Sequence, residues 1–140
     1  MRILVDPIRT NGKHGRGELA QKMGPISGVF LLASKEPSLY ITGDSIWCPD
    51  VENVLDSYQP DVTVVFAGAA QFLTGGPITM TSEDIVRVCK KSSESQVVVA
   101  HMEAWNHCLL TRNELRHSML EQNLTKQVRV PENGDILEFS

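Results

Sequence analysis

The sequence has few of the features that mark several large classes of protein. Its three cysteines, Cys48, Cys89 and Cys108, are widely spaced and odd in number, which argues against a disulfide framework and favours a reducing, cytoplasmic setting. No apolar run is long enough to cross a bilayer, and we expect no signal peptide. The net charge of −4 offers no basic surface to nucleic acid or to an anionic membrane. We therefore expect neither nucleic acid nor a membrane as partner.

The composition is that of a globular domain. The chain has 140 residues, of which 41% are hydrophobic and 21% are charged, and this balance is not that of a disordered segment. The length matches one ordinary domain, and no internal repeat is visible. We therefore interpret residues 1–140 as one unit.

The first forty residues predict strands and a glycine-rich loop. Apolar residues predict a first strand at Arg2–Arg9, where Pro7 favours a position at the sheet edge. Four glycines predict a loop at Thr10–Pro25 that contains a short helical turn. A second strand at Gly28–Ser34 and a third at Leu39–Thr42 flank a turn, which predicts a hairpin.

From Leu39 onward, predicted strands alternate with predicted helices, which is typical of an α/β fold. Near-continuous apolar runs predict buried strands at Val62–Phe66 and Val97–Ala100. Apolar spacing and capping residues predict three helices, at Pro49–Tyr58, Ser82–Lys91 and Thr111–Gln122. Apolar residues near the end predict a closing hairpin around residues 131–135, formed by Val128, Val130, Ile136, Leu137 and Phe139.

Polar residues follow several of these strands. Asp44 comes after the third strand and a glycine, and His101 stands directly after the Val97–Ala100 strand. Ligands gather outside the carboxyl ends of strands in α/β sheets, so both residues are candidates for a site. His14 and His107 complete the set, because His and Asp are common ligands of zinc and similar metals. Each has a structural alternative: Asp44 as a turn residue or helix N-cap, and His101 as a hydrogen-bonded core histidine.

Four segments carry a wider pattern in their order and spacing: Leu39–Ser45, Pro60–Ala70, Ile78–Asp84 and Val97–Glu103. Together they resemble the metallo-β-lactamase superfamily over nearly the whole chain. They look most like its soluble metal-dependent hydrolases, which include L-ascorbate-6-phosphate lactonase-like proteins. The resemblance implies an α/β fold that is half of an αβ/βα sandwich, with one mixed sheet and helices mainly on one face.

The resemblance also implies metal-assisted hydrolysis of a small-molecule substrate by the completed enzyme, with zinc or another divalent metal such as manganese or iron. Carried over by position, Asp44 would be the catalytic, metal-bridging carboxylate, while His14 and His101 would be metal ligands. His107 resembles a histidine near the substrate in some relatives, with a solvated role as the alternative. Arg112 would steer an anionic substrate, or it is a surface arginine that caps nothing.

The sequence departs from the family pattern because it contains no His-x-His-x-Asp-His motif. It resembles the second half of such an enzyme, so we expect a fragment, a truncated gene product or a reduced descendant. We expect the isolated chain to bind metal weakly and to have little hydrolase activity. Two alternatives stay open: a non-catalytic half-domain that binds a protein partner, and a ligand-binding α/β domain without a metal.

One face of the predicted sheet is expected to lack a cover. The strands Val62–Phe66 and Val97–Ala100 need burial on both faces. Helices that connect parallel neighbours with one handedness cover only one face. We therefore expect the isolated chain to form a homodimer through the open face, or to bind another protein there.

Overall fold

The computed structural model describes residues 5–140, and side-chain surroundings from residue 7 onward. Ten elements follow one another along the described chain. They are β1 (Val5–Lys13), α1 (Gly17–Met23), β2 (Pro25–Ala33), β3 (Leu39–Ile41), α2 (Pro49–Tyr58), β4 (Val62–Phe66), α3 (Ser82–Lys91), β5 (Gln96–Ala100), α4 (Arg112–Glu121) and β6 (Val128–Arg129).

The six strands form one mixed sheet in the order in which they occur in the sequence. β1 pairs with β2 and β2 with β3 in antiparallel orientation, whereas β3, β4, β5 and β6 are parallel neighbours. β2 is therefore the single described strand that runs against the others. It follows that β1, β3, β4 and β5 all end at the same edge of the sheet.

The core lies between one face of the sheet and three helices. Phe30 and Tyr40 pair across β2 and β3 and are at most 1% exposed. They belong to one buried cluster with residues of β4, β5 and β6 and with apolar residues of α2, α3 and α4. The short helix α1 buries none of its residues. The expected α/β fold, with helices mainly on one face of a mixed sheet, is confirmed.

The helices begin where their capping residues lie. The side chains of Thr81 and Thr111 each accept a hydrogen bond from the backbone N–H three residues on. In return, the carboxylates of Asp84 and Glu114 accept from the backbone N–H of the threonine. These reciprocal bonds satisfy donors that the first helical turn would otherwise leave free. The predicted capping box at Thr111 is thus confirmed, and α2 has the predicted bounds, with Pro49 in its first turn.

The prediction for the first part of the chain was wrong in its boundaries. The predicted strand at Arg2–Arg9 instead extends to Lys13, and its first three residues lie outside the described part. The predicted loop Thr10–Pro25 is mostly regular. Its predicted helical turn is confirmed as α1, and β1 and β2 pair continuously from Val5 with Ala33 to Lys13 with Pro25. At Gly12, cross-strand pairing therefore outweighs the low strand preference of glycine.

The predicted closing hairpin was also wrong. β6 pairs in parallel with β5, and residues 130–140 form no strand. Two arginines of α4 take the carbonyl groups that such a hairpin would use. Arg116 Nη2 donates to the carbonyl of Val130 at 2.8 Å, and Arg112 Nε donates to that of Pro131 at 2.9 Å.

The sheet face opposite the helices is apolar, and the expectation that it lacks a cover was wrong in part, because Val62 and Val98 on it are buried. Val64 lies beside Ile41 and Val98 in the parallel register, and the final residues of the chain cross part of this face. A groove of about 500 Å³ remains. Its lining includes Leu39, Val62, Val64, Val98, Leu137 and Phe139. Within residues 5–140 no helix has the length and hydropathy to span a bilayer.

Candidate functional site

The candidate site lies at the edge where β1, β3, β4 and β5 end. Gly43 makes the turn that places Asp44 there. Its backbone φ is +68°, a left-handed conformation that glycine adopts without strain, and an added Cβ would lie 2.7 Å from the carbonyl oxygen of Ser27. Only glycine therefore fits at position 43, directly before Asp44.

Ser45 ties this turn to the end of β1. The backbone N–H of Lys13 donates to Ser45 Oγ at 3.1 Å, and the N–H of Ile46 donates to the carbonyl of Lys13 at 2.9 Å. Ser45 is fully buried and donates its own hydroxyl hydrogen to the carbonyl of Ile46. Because His14 directly follows Lys13, these bonds place the His14 and Asp44 backbones on the same sheet edge.

Asp44 and His101 are side by side. His101 Nε2 lies 3.8 Å from Asp44 Oδ1, although 57 residues of sequence separate them. The His101 ring stacks on Phe66 with centroids 5.5 Å apart, and its backbone φ is +60°, in the left-handed region. Asp44 Oδ1 and His101 Nδ1 are buried and have no hydrogen-bond partner in the structure. Buried polar atoms without partners are rare, so this pair requires an explanation.

His14 is oriented by a backbone carbonyl. Its Nδ1 lies 2.8 Å from the carbonyl oxygen of Ile78, at the end of the loop after β4. A carbonyl only accepts hydrogen bonds, so Nδ1 carries the hydrogen, and in the neutral ring the lone pair is then on Nε2. This arrangement is typical of metal-binding histidines, whose second ring nitrogen donates to a carbonyl or carboxylate.

The pair of Asp44 and His101 fits a metal ion by distance and by chemistry. Two ligands that each lie about 2 Å from zinc are roughly 3–4 Å apart, which includes the observed separation. Among the described residues, however, no group of three or more His, Cys, Asp or Glu side chains is arranged to hold a metal ion. The structure brings two of the predicted ligands together, and the convergence of His14 with them stays a prediction.

The two remaining histidines have other surroundings. His107 stacks on Phe72 with centroids 5.8 Å apart, and its carbonyl accepts a hydrogen bond from the N–H of Gln71. It lines an open pocket of about 570 Å³ with the exposed Leu73 and Leu109. The predicted role of His107 in substrate binding stays a prediction. His117 lies exposed on α4, 3.3 Å from Glu121.

Arg112 is a structural residue, which neither sequence interpretation anticipated. Its side chain is only 12% exposed, so it is not a free surface arginine, and it pairs with Glu103. It also donates to the Pro131 carbonyl at 2.9 Å and to Asn133 Oδ1 at 2.8 Å. Its hydrogen bonds hold the pKa of Glu103 below its ordinary value. No local motif marks these contacts, because the partners lie 9 to 21 residues away in sequence.

One curated relative matches nearly the whole chain in sequence. The UPF0173 protein YddR of Bacillus subtilis strain 168 is 36% identical over 136 residues, which are 96% of this chain and 54% of that protein. The chain therefore spans about half the length of the curated relative that it matches. No protein-family model matches the sequence.

Solved structures match the fold closely. An isothiocyanate hydrolase from Delia radicum gut bacteria has a TM-score of 0.92 at 33% identity, over 96% of this chain and 54% of that one. A possible metal-dependent hydrolase from Veillonella parvula has a TM-score of 0.89 at 32% identity, over 95% and 55%. The metallo-β-lactamase fold protein YhfI of Bacillus subtilis has a TM-score of 0.67 at 14% identity, over 98% and 52%, which shows the fold alone. The chain thus has the fold found over about half the length of metal-dependent hydrolases of the metallo-β-lactamase type.

Proposed function

We propose that this chain is the part of a metal-dependent hydrolase that supplies the ligands Asp44, His101 and His14. The observation that carries the proposal is the Asp44–His101 pair, 3.8 Å apart, with one buried unpartnered polar atom on each side chain. A divalent cation bound by Asp44 Oδ1 and His101 Nε2 would give the unpartnered carboxylate oxygen its missing partner, whereas His101 Nδ1 would stay without one. The metal-dependent neighbours support a divalent cation in general, and zinc, manganese and iron are the candidates.

Each residue has a definite task in this proposal. Asp44 contributes carboxylate oxygens, His101 contributes Nε2, and the Ile78 carbonyl keeps Nε2 of His14 available. A bound divalent metal supplies a water molecule of lowered pKa and stabilises negative charge that develops on the substrate. His107 and Phe72 would contact the substrate at the rim. The free cysteines Cys48, Cys89 and Cys108 are compatible with a reducing compartment, which we take to be the cytoplasm.

The contacts of Arg112 and one solved neighbour bear on the class of substrate. The lactonase-like branch would need a cation for an anionic substrate, and Arg112 is already engaged with Glu103 and the chain near Asn133. The isothiocyanate hydrolase among the solved neighbours instead supports a small electrophile attacked at carbon. We therefore favour a neutral electrophilic substrate over a sugar phosphate.

Metal binding by the purified chain tests the proposal directly. We would titrate the metal-stripped protein with Co²⁺ and follow both the heat of binding and the visible absorption of the bound ion. We expect weak binding of one ion, and a loss of at least tenfold in affinity in Asp44→Asn and in His101→Gln, because each variant removes a ligand. His117→Gln is the matched control, since His117 is exposed on α4.

Three outcomes of these titrations would contradict the proposal or a part of it. If His101→Gln bound Co²⁺ as tightly as His117→Gln does, the Asp44–His101 pair would not be a metal site. Two tightly held ions per isolated chain would contradict the expectation of weak binding. His14→Gln decides the third ligand: an affinity equal to that of the wild type would remove His14 from the set.

A second candidate function rests on the open sheet face. The groove of about 500 Å³ beside Val64 and Val98 is mainly apolar, and Glu36, Glu132 and Asp135 also line it. Apolar surface of this kind marks interaction sites. We propose that this face associates with a second copy of the chain, or with another polypeptide that presents an apolar sheet. On this view the chain acts as a partner-binding half-domain, which is compatible with weak metal binding.

A further inference from the structure

The loop that carries His101 is held in a costly backbone conformation. His101 has φ +60° and Glu103 has φ +53°, so two non-glycine residues within three positions adopt the left-handed region. That region is unfavourable for residues with a Cβ and persists where surrounding contacts determine it. The contacts that hold this loop therefore decide where the His101 ring lies.

Three anchors hold the loop. Met102 is only 4% exposed and belongs to the core, and the His101 ring stacks on Phe66. The third anchor is polar. The backbone N–H of Arg112 donates to Glu103 Oε1 at 3.2 Å, and its guanidinium donates to Glu103 Oε2.

Arg112 is itself immobilised, so it can act as a fixed point. Its Nε donates to the carbonyl of Pro131 and its Nη2 to Asn133 Oδ1. The guanidinium thus fills a site between the loop and the segment at residues 131–133, and its fixed fork of donors suits several acceptors at once.

We infer that Glu103 and Arg112 are positioning residues that hold His101 beside Asp44. This inference rests on the proposed metal site for its functional meaning. Its structural content, that the two residues fix the orientation of the His101 ring, does not depend on a bound metal.

The chain offers a matched control. Arg116 lies one turn after Arg112 on α4 and binds the same segment, through the carbonyl of Val130 and the carboxylate of Glu132, but it makes no hydrogen bond to the loop. Arg116→Gln therefore removes hydrogen bonds to Val130 and Glu132 and none to the loop, although it also removes a positive charge near Glu103. Glu103→Ala removes both bonds to the loop and leaves the bonds from Arg112 to the segment in place. Arg112→Gln removes the guanidinium bonds to the loop and to the segment, but it keeps the bond from its backbone N–H to Glu103 Oε1.

Two measurements on the full chain test the inference. In the metal-free protein, the NMR shifts of the His101 ring protons report its stacking on Phe66, with His101→Ala assigning the signals. We expect these shifts to move toward unstacked values in Glu103→Ala and Arg112→Gln, and to stay in place in Arg116→Gln. In a Co²⁺ titration we expect about a tenfold loss of affinity in the first two variants and less than a twofold change in the third.

The outcomes separate this inference from the proposed function. If the wild type binds no Co²⁺, the metal site fails, and the His101 shifts alone decide whether Glu103 positions the ring. If Glu103→Ala leaves the shifts unchanged, or Arg116→Gln moves them equally, the inference is overturned. Circular dichroism checks the fold of each variant. Glu103→Asn replaces Glu103→Ala if the alanine variant does not fold, because Asn tolerates a left-handed backbone and its side chain is one methylene shorter.

Discussion

Gly12 is the position where one added methyl group should disturb the candidate site most directly. Gly12 lies in β1 with a backbone outside the left-handed region, so alanine can adopt its conformation. An added Cβ would nevertheless lie 2.7 Å from Ser45 Oγ, 2.9 Å from Ser45 Cβ and 3.0 Å from Ile26 Cδ1. Ordinary contacts begin near 3.4 Å, so Ser45 would have to move by about 0.7 Å.

Ser45 has little freedom to make that movement. It is fully buried, and its hydroxyl is bonded to the N–H of Lys13 and to the carbonyl of Ile46. Overpacking of this kind costs about 1–3 kcal/mol. Replacing glycine by alanine at a compatible position returns about 0.4–1 kcal/mol through the unfolded state. We therefore expect Gly12→Ala to lower the free energy of unfolding by about 1–2 kcal/mol.

Urea denaturation and the Co²⁺ titration measure the two consequences. Asp44 is adjacent to Ser45, so we expect the affinity for Co²⁺ to fall by about tenfold as well. Ser45→Gly is the control, because it removes both Ser45 atoms that the new methyl group would meet. In the Ser45→Gly background, Gly12→Ala should cost at least about 1 kcal/mol less than in the wild type. Additive effects of the two substitutions would refute the reasoning.

Two other predictions concern acid stability and association. The N–H and hydroxyl of Ser38 both donate to Asp61 at 2.7 Å and hold the pKa of Asp61 below its ordinary value. The unfolded state then binds more protons, so this stabilisation is present above about pH 4 and is lost as the pH falls through the folded-state pKa. Urea melts from about pH 5 to pH 3 should show a shallower acid loss in Ser38→Ala, and equal slopes would contradict this. In sedimentation velocity, Val64→Lys on the open face should weaken self-association by at least about tenfold, because association would remove the added charge from water. Leu120→Lys on α4 is the control and should not weaken it. A wild type that stays monomeric on concentration would exclude the homodimer.

Local chemistry in the sequence was sufficient for the regular elements from Leu39 to the end of α4. Apolar periodicity placed α2, and apolar runs placed β4 and β5. Capping residues placed the starts of α3 and α4. The same reasoning placed Asp44 and His101 after strands. It also indicated a site at the sheet edge, because carboxyl ends of parallel strands meet there.

Local chemistry was insufficient where long-range contacts outweigh propensity. The glycines before Pro25 predicted a loop, but Gly12 pairs with Ile26 in the β1–β2 ladder and Gly17 begins α1. The apolar residues after Val128 predicted a hairpin, but α4 takes two of its carbonyl groups. Both errors have one cause, since backbone hydrogen-bond partners depend on which segments the fold brings together.

The sequence alone determined which residue types could form the site and that they follow strands. Only the tertiary structure decided how these residues are arranged. His101 lies 3.8 Å from Asp44, His14 is bonded to a backbone carbonyl, and Glu103 pairs with Arg112. Side-chain type is a local property that can be read from the chain. The separation of two atoms that lie 57 residues apart depends on every strand pair and every turn between them.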